Sequence, residues 1–237
     1  MSQQEQPADA EYRTYVWVVA HPDDAEFSSA ATIAKFAREG KRIVIIQVTS
    51  GECGSSDRDA VPEQIALTRE AEEQESARRL GVAEVVFLRC PDGRLTPNID
   101  LREKIVRAIR TFRPDVVVTH DPFRPYALHP DHRAVGMATH DSVYPTARDH
   151  LNFPDHLASG LKPHKTAEIW YFGAEQPDVY VDITESFDAK VDALKAHKSQ
   201  VGEAESMGER LRERAAEVAE SQPFELAEAF KVVKMRR

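Results

Sequence analysis

The chain has 237 residues, 41% of them apolar, which suits one large α/β domain with a sizeable core. Its net charge of −9, with basic residues alternating with Glu along helical stretches, excludes the clustered Lys and Arg that a phosphate backbone needs, so no nucleic-acid partner is expected. No run reaches the ~20 apolar residues of a membrane span, Met1 to Thr14 lack an apolar signal core, and Cys53 and Cys90 form neither a disulfide framework nor a CxxC pair, so a cytoplasmic setting is expected.

Along the chain, apolar runs of strand length alternate with segments of helical period. Tyr15–Ala20, Arg42–Thr49, Val85–Arg89 and Asp115–His120 read as strands buried on both faces, with helices over 24–39, 62–80 and 98–112. Leu101, Ile105, Ile109 and Phe112 carry the helical period of the third, and Leu80-Gly81-Val82 is a glycine C-cap signal for the second. This order predicts an α/β fold: a mostly parallel sheet between two layers of helices, joined by right-handed crossovers. A helix then runs from His132 to about Ala147, an irregular segment continues through Lys165, and strands follow at Glu168–Phe172 and Val179–Ile183. The last third reads as helical and charged, with one apolar stripe at Phe187, Val191 and Leu194 and another at Met207, Leu211 and Val218. A single domain over 14–237 is expected, preceded by a flexible tail at 1–13 and ending in a charged helical extension over 202–237. Neither GxGxxG nor GxxxxGK follows the first strand, which removes the two commonest nucleotide-binding readings.

Chemistry concentrates at two strand ends. Ala20-His21-Pro22-Asp23-Asp24-Ala25-Glu26 follows the first strand, and His129-Pro130-Asp131-His132 lies beyond the fourth. Proline suits the first position of a helix, so Asp23 and Asp24 are expected in the first turn after strand 1, and Asp131 and His132 in the first turn after strand 4. Strands 1 and 4 are neighbours at the switch point of a doubly wound sheet, where ligands bind beyond the carboxyl ends, so the two stretches should meet. Two imidazoles and a carboxylate with an open position form the ligand set of catalytic zinc, which activates water near neutral pH. A remaining carboxylate can take a proton, and a remaining His can bind an oxyanion or protonate a leaving group. Capping alone explains one such start more easily than two. His140, His150, His156 and His164 lack this context and read as structural or surface residues.

These two stretches, with Leu194-Lys195-Ala196-His197-Lys198-Ser199-Gln200 after them, resemble the PIG-L/LmbE-like deacetylases over roughly residues 14 to 202. The resemblance implies a Rossmann-like sheet, one catalytic Zn2+ (or another divalent metal), and removal of the acetyl group from an N-acetylglucosamine conjugate to give acetate and a free amine. By position it implies His21, Asp24 and His132 as metal ligands and Asp23 as the general base. His129 would stabilise the oxyanion or protonate the amine, with Asp131 orienting its ring. The partner would be a small N-acetylated sugar conjugate, and a homo-oligomer is expected. Ala30-Ala31-Thr32 stands where the family often has Gly-Gly-Thr. Arg69 and Arg124 are candidates for a sugar hydroxyl or an anionic aglycone, Tyr126 for a mobile tyrosine near the second stretch, and His197 for a place near the pocket or at a helix end. The competing readings are an amidase with the same metal chemistry acting on a thiol-sugar conjugate, and a non-catalytic α/β binding module in which the two starts are only helix caps.

Overall fold

The apolar runs of strand length form a sheet buried on both faces in the computed structural model, which describes residues 12–202 and 206–235. In chain order the elements are β1 (Thr14–Val19), α1 (Asp24–Arg38), β2 (Arg42–Gln47), α2 (Pro62–Leu80), β3 (Glu84–Phe87), α3 (Ile99–Phe112) and β4 (Val116–His120). They continue as α4 (Pro130–Asp141), α5 (Pro154–Ala158), β5 (Glu168–Phe172), β6 (Val179–Asp182), α6 (Phe187–Leu194), α7 (Lys198–Val201), α8 (Met207–Ala219) and β7 (Ala227–Lys234). The expected flexible tail at 1–13 falls almost wholly outside the described residues. Among the described residues, no helix is long and apolar enough to cross a membrane.

Seven strands form one sheet in the order β3-β2-β1-β4-β5-β7-β6. Pairing is parallel from β3 through β5 and antiparallel on both sides of β7, so the sheet is mostly parallel as expected. Alternate residues of each strand face opposite layers. Tyr15, Trp17, Ile43, Ile45, Val116, Val118 and Trp170 pack with α1, α2, α6 and α8, whereas Val16, Val18, Val44, Ile46, Val117 and Ile169 pack with α3 and α4. The connections after β1 lead to one flank and those after β4 to the other, which makes their shared carboxyl rim the switch point.

Local signals explain the helix limits. Gly81, at φ 78°, ends α2 with its N–H on Arg78, while the Val82 N–H reaches Ala77. The Asn98 side chain accepts the Leu101 N–H at 2.9 Å and starts α3. The helix expected to reach about Ala147 stops at Asp141 and passes into a π-type turn over Ser142–Thr146, because Pro145 has no N–H to continue it.

The C-terminal expectation is overturned in part. Within 202–237, α8 is helical, but Ala227–Lys234 is a strand inserted between β5 and β6. Phe230 and Val232 face the first apolar layer and Val233 the second, a period-2 pattern that the flanking charges conceal. This strand also secures α1. That helix is broken at Ser29 (φ −152°, ψ 21°), and the freed N–H groups of Ala31 and Thr32 donate to Glu228 of β7 at 3.3 and 2.8 Å. Lys190 neutralises the same carboxylate at 2.7 Å.

Candidate metal centre

The two His-Pro-Asp stretches meet at the rim between β1 and β4, at one end of a cleft of about 730 Å³. His21 Nδ1 lies 3.3 Å from Asp24 Oδ2, His132 Nε2 lies 3.1 Å from Asp24 Oδ1, and the two ring nitrogens lie 3.2 Å apart. Tetrahedral ligands about 2.0–2.1 Å from Zn2+ stand about 3.3 Å apart, so this triangle fits one face of such a site. The three side chains therefore could hold one divalent cation. The Asp24 carboxylate is fixed in turn by the His21 N–H at 2.7 Å.

The local field calls for positive charge. Burial would lower the pKa of His21, but hydrogen bonds to Asp24 and Asp92 outweigh it and raise the ring to about 10. Burial would raise Asp24, yet the imidazoles of His120, His132 and His21 hold it well below the usual carboxylate range. The opposite edge of the His21 ring meets two further carboxylates: Nε2 is 3.1 Å from Asp92 Oδ1 and 3.4 Å from Asp131 Oδ2. A ligand His whose far nitrogen is held by a carboxylate has a fixed ring orientation and a more basic near nitrogen.

Asp23 stands beside the triangle in an unusual conformation. It is the N-cap of α1 at φ 101°, so α1 begins at Asp24 and Pro22 lies before the cap. That differs from the expected Pro-first start, which only Pro130 of α4 follows. Arg69 of α2 donates to Pro22 O at 2.5 Å, to Gly51 O at 3.0 Å and to Asp23 Oδ2 at 3.2 Å, while the Asp23 N–H reaches Glu73 at 3.4 Å. Arg69 is only 4% exposed, so it clamps this turn from behind and does not reach into the cleft as a sugar-binding side chain would. Burial and the adjacent Asp24 carboxylate push Asp23 up to about 7, against the pull of Arg69. A carboxylate near that value is matched to proton transfer at neutral pH.

On the other side, His129 caps α4 by accepting the Asp131 N–H on Nδ1 at 3.2 Å. Its proton is therefore on Nε2, and burial with the neighbouring His21 keeps the ring on the neutral side. The His129 ring lies 5.0 Å from that of His21 and 5.1 Å from that of His132. Asp131 departs from its expected place behind this ring. Its carboxylate accepts the N–H groups of Gly93 at 2.8 Å and Leu95 at 3.2 Å and faces His21, and only its backbone N–H meets His129. The β3–α3 loop arrives at the site, and the carboxylate serves as its anchor.

Three residues of the site have no counterpart in the expected set. His120 ends β4, accepts the Ala20 N–H on Nε2 at 3.2 Å and stacks on His132 at 4.1 Å, and burial pulls it down to about 4. A His at the carboxyl end of a central strand was the available signal. Asp92 sits in a Pro-Asp-Gly turn, a pattern that marks a turn but not what the turn will touch. Glu73 lies within a run of charged residues on α2, and nothing in that run sets it apart. Arg124 lines the cleft, whereas Tyr126 is 94% exposed. His140, His156 and His164 bond to Tyr171, to Arg110 with Glu103, and to the Pro114 carbonyl, as structural histidines do.

The chain matches the PIG-L: GlcNAc-PI de-N-acetylase family over residues 16–143. It is 34% identical to the diacetylchitobiose deacetylase of Thermococcus kodakarensis over 183 residues, covering 77% of this chain and 68% of the relative. It is 31% identical to the 1D-myo-inositol 2-acetamido-2-deoxy-alpha-D-glucopyranoside deacetylase of Mycobacteroides abscessus over 229 residues, covering 80% and 82%. The structure of N,N'-diacetylchitobiose deacetylase from Pyrococcus horikoshii superposes with a TM-score of 0.89 at 29% identity, covering 94% of this chain and 85% of that one. The family match spans more than half of the chain and includes both stretches that build the cleft's polar end, and the chain therefore belongs to the PIG-L de-N-acetylase family.

Proposed function

We propose that this protein is a zinc-dependent hydrolase that removes the N-acetyl group from an N-acetylglucosamine-type conjugate, releasing acetate and a free amine. The observation that carries the reading is the triangle of His21 Nδ1, Asp24 and His132 Nε2, with edges of 3.1–3.3 Å at the end of an open cleft. The names of the relatives support the acyl group and sugar class, since all of those described above are deacetylases of acetamido sugars.

His21, Asp24 and His132 would hold the ion, which when bound acidifies water and polarises the amide carbonyl. Asp23, held beside them by Arg69, accepts the proton of the attacking water. His129 offers its Nε2 proton to the carbonyl oxygen as negative charge develops there, because its Nδ1 already accepts a backbone N–H. As the C–N bond breaks, Asp23 passes the proton it took up to the departing amine. Asp92 and Asp131 orient the His21 ring, and His120 backs the His132 ring through stacking. The remainder of the cleft, which passes Phe27, Ser28, Arg124 and Phe172 toward α8 and β7, takes the rest of the conjugate.

The test measures acetate and amine release across a panel of N-acetylglucosamine conjugates, with metal-loaded and chelator-treated protein. Release that is lost on chelation and restored by Zn2+ is the expected result. Full turnover by protein shown to be metal-free would overturn the reading.

A further inference from the structure

Behind Asp23, and away from the cleft, lies a second group of ligand-type side chains, of which Glu73 also braces the Asp23 turn. Glu26 of α1, Glu73 of α2 and His197 at the start of α7 are each 0% exposed. Glu26 Oε1 accepts the Ser76 hydroxyl at 2.6 Å, and Glu73 Oε2 accepts the long Asp23 N–H contact. The remaining atoms, Glu26 Oε2, Glu73 Oε1 and both ring nitrogens of His197, have no hydrogen-bond partner among the described residues. The buried Gln47 amide lies against Glu73 as a hydrogen-bonding neighbour, although neither of its side-chain atoms makes a bond of good geometry. Native interiors leave few polar side chains unpaired, and here they are gathered at one point.

The spacing says what belongs there. His197 Nε2 is 3.7 Å from Glu26 Oε2 and 3.8 Å from Glu73 Oε2, and ligand atoms of all three lie within 4.8 Å of one another. Those separations are too long for direct hydrogen bonds, which end at about 3.2 Å. They are also shorter than the roughly 4.5 Å that a tetrahedral water about 2.8 Å from each partner would set. Two donors about 2.1–2.2 Å from a shared cation stand about 3.5 Å apart at the tetrahedral angle, within a few tenths of an ångström of the separations here. Two adjacent buried carboxylates repel each other with only the His197 imidazole between them, and a dication there would remove that cost while also binding the imidazole.

We propose that Glu26, Glu73 and His197 form a second, solvent-excluded site for a divalent transition metal, which staples α1, α2 and the start of α7 behind the catalytic turn. One imidazole with two carboxylates suits Zn2+, Mn2+ or Fe2+ better than Ca2+, which takes six to eight oxygens. Shut away from solvent, an ion held there braces the fold, and the site fills as the chain folds. It does not depend on the deacetylase reading.

The experiment counts ions per folded chain by mass spectrometry, in full-length protein purified from medium containing Zn2+ and Mn2+. It also locates them by anomalous scattering at the absorption edge of the metal found. Two ions in the wild type, one in Glu73→Gln and one in His132→Ala are expected, with the ion kept by His132→Ala lying between Glu26, Glu73 and His197. A wild type with one ion, kept by Glu73→Gln and lost by His132→Ala, overturns the buried site and leaves the cleft centre standing. Two ions in Glu73→Gln overturn it as well. Should Glu73→Gln fail to fold, His132→Ala decides alone: a metal-free His132→Ala chain sinks the proposal.

Discussion

Two stretches of nearly the same composition, His21-Pro22-Asp23-Asp24 and His129-Pro130-Asp131-His132, start helices at adjacent strand ends in different ways. The second start is self-sufficient: Pro130 takes the first helical position and the His129 ring caps the Asp131 N–H. At the first, Pro22 is outside the helix, Asp23 caps nothing with its side chain, and its backbone sits at φ 101°. A non-glycine residue held there costs about 1–3 kcal/mol and persists only when its surroundings over-determine it. Here the surroundings are Arg69 and Glu73 on α2, about fifty residues away in the chain. The same residue pattern thus gives one relaxed start, which presents His129 and His132, and one strained start, which aims Asp23 beside the ligands. The strain lies at the residue assigned to move the proton.

The largest expected effect that would sharpen this contrast is that of Asp23→Asn. Asn tolerates positive φ, so the turn and the bound metal should remain while kcat falls by about 10²–10⁴-fold, the usual worth of a general base. Loss of metal in this variant, measured alongside turnover, would show that Asp23 is a ligand and that the two starts do not divide the roles as described. Arg69→Met comes next. It leaves Asp23 and the carbonyls of Pro22 and Gly51 without their buried cation, and roughly 3–5 kcal/mol of stability should be lost in denaturant unfolding, with kcat reduced more than KM is raised. An Arg69→Met enzyme with wild-type stability and kcat would mean that the first start, like the second, holds itself.

A smaller effect concerns pH. In the metal-free site His21 holds a proton up to about pH 10, above its ordinary value, so a cation must displace that proton at any lower pH. Metal affinity should therefore rise with pH, by about tenfold per unit over roughly pH 6 to 8, in competition with a chelator of known affinity. A flat profile would show that the carboxylates around His21 do not hold its proton. Least of all, Asp23→Gly should be more stable than Asp23→Ala by about 1 kcal/mol, because only glycine is at ease at this φ. His129→Ala should cost about 1 kcal/mol as a lost cap. Equal melting temperatures for the two Asp23 variants would remove strain from the account of the first start.

Much of this site was legible in the chain because its side chains come from two short stretches. His21 and Asp24 are three residues apart, His129 and His132 likewise; the first pair directly follows an apolar run that reads as a buried strand, and the second lies beyond another, after the eight residues 121–128. Apolar runs of strand length and helical patterns were long enough to place β1 through β6 and α1 through α3 within a few residues. The strand β7 escaped because its eight residues, Ala227–Lys234, carry two lysines and a glutamate among their apolar residues and follow a genuine helix. The partner of the Asp131 carboxylate is not legible in the chain, because its target, the Gly93–Leu95 backbone, is a loop brought to the rim by the sheet.

Residue types and short spacings were therefore sufficient for the parallel sheet and the meeting of the two His-Pro-Asp starts, since each depends on chain-local periodicity and on the switch-point rule. The left-handed turn of Asp23, the clamp of Arg69 and Glu73, the arrival of Asp92 and His120, and the burial of Glu26 with His197 came only with folding. Those contacts join residues from about 40 to 170 positions apart, and no local pattern encodes which distant side chain a buried polar atom will find.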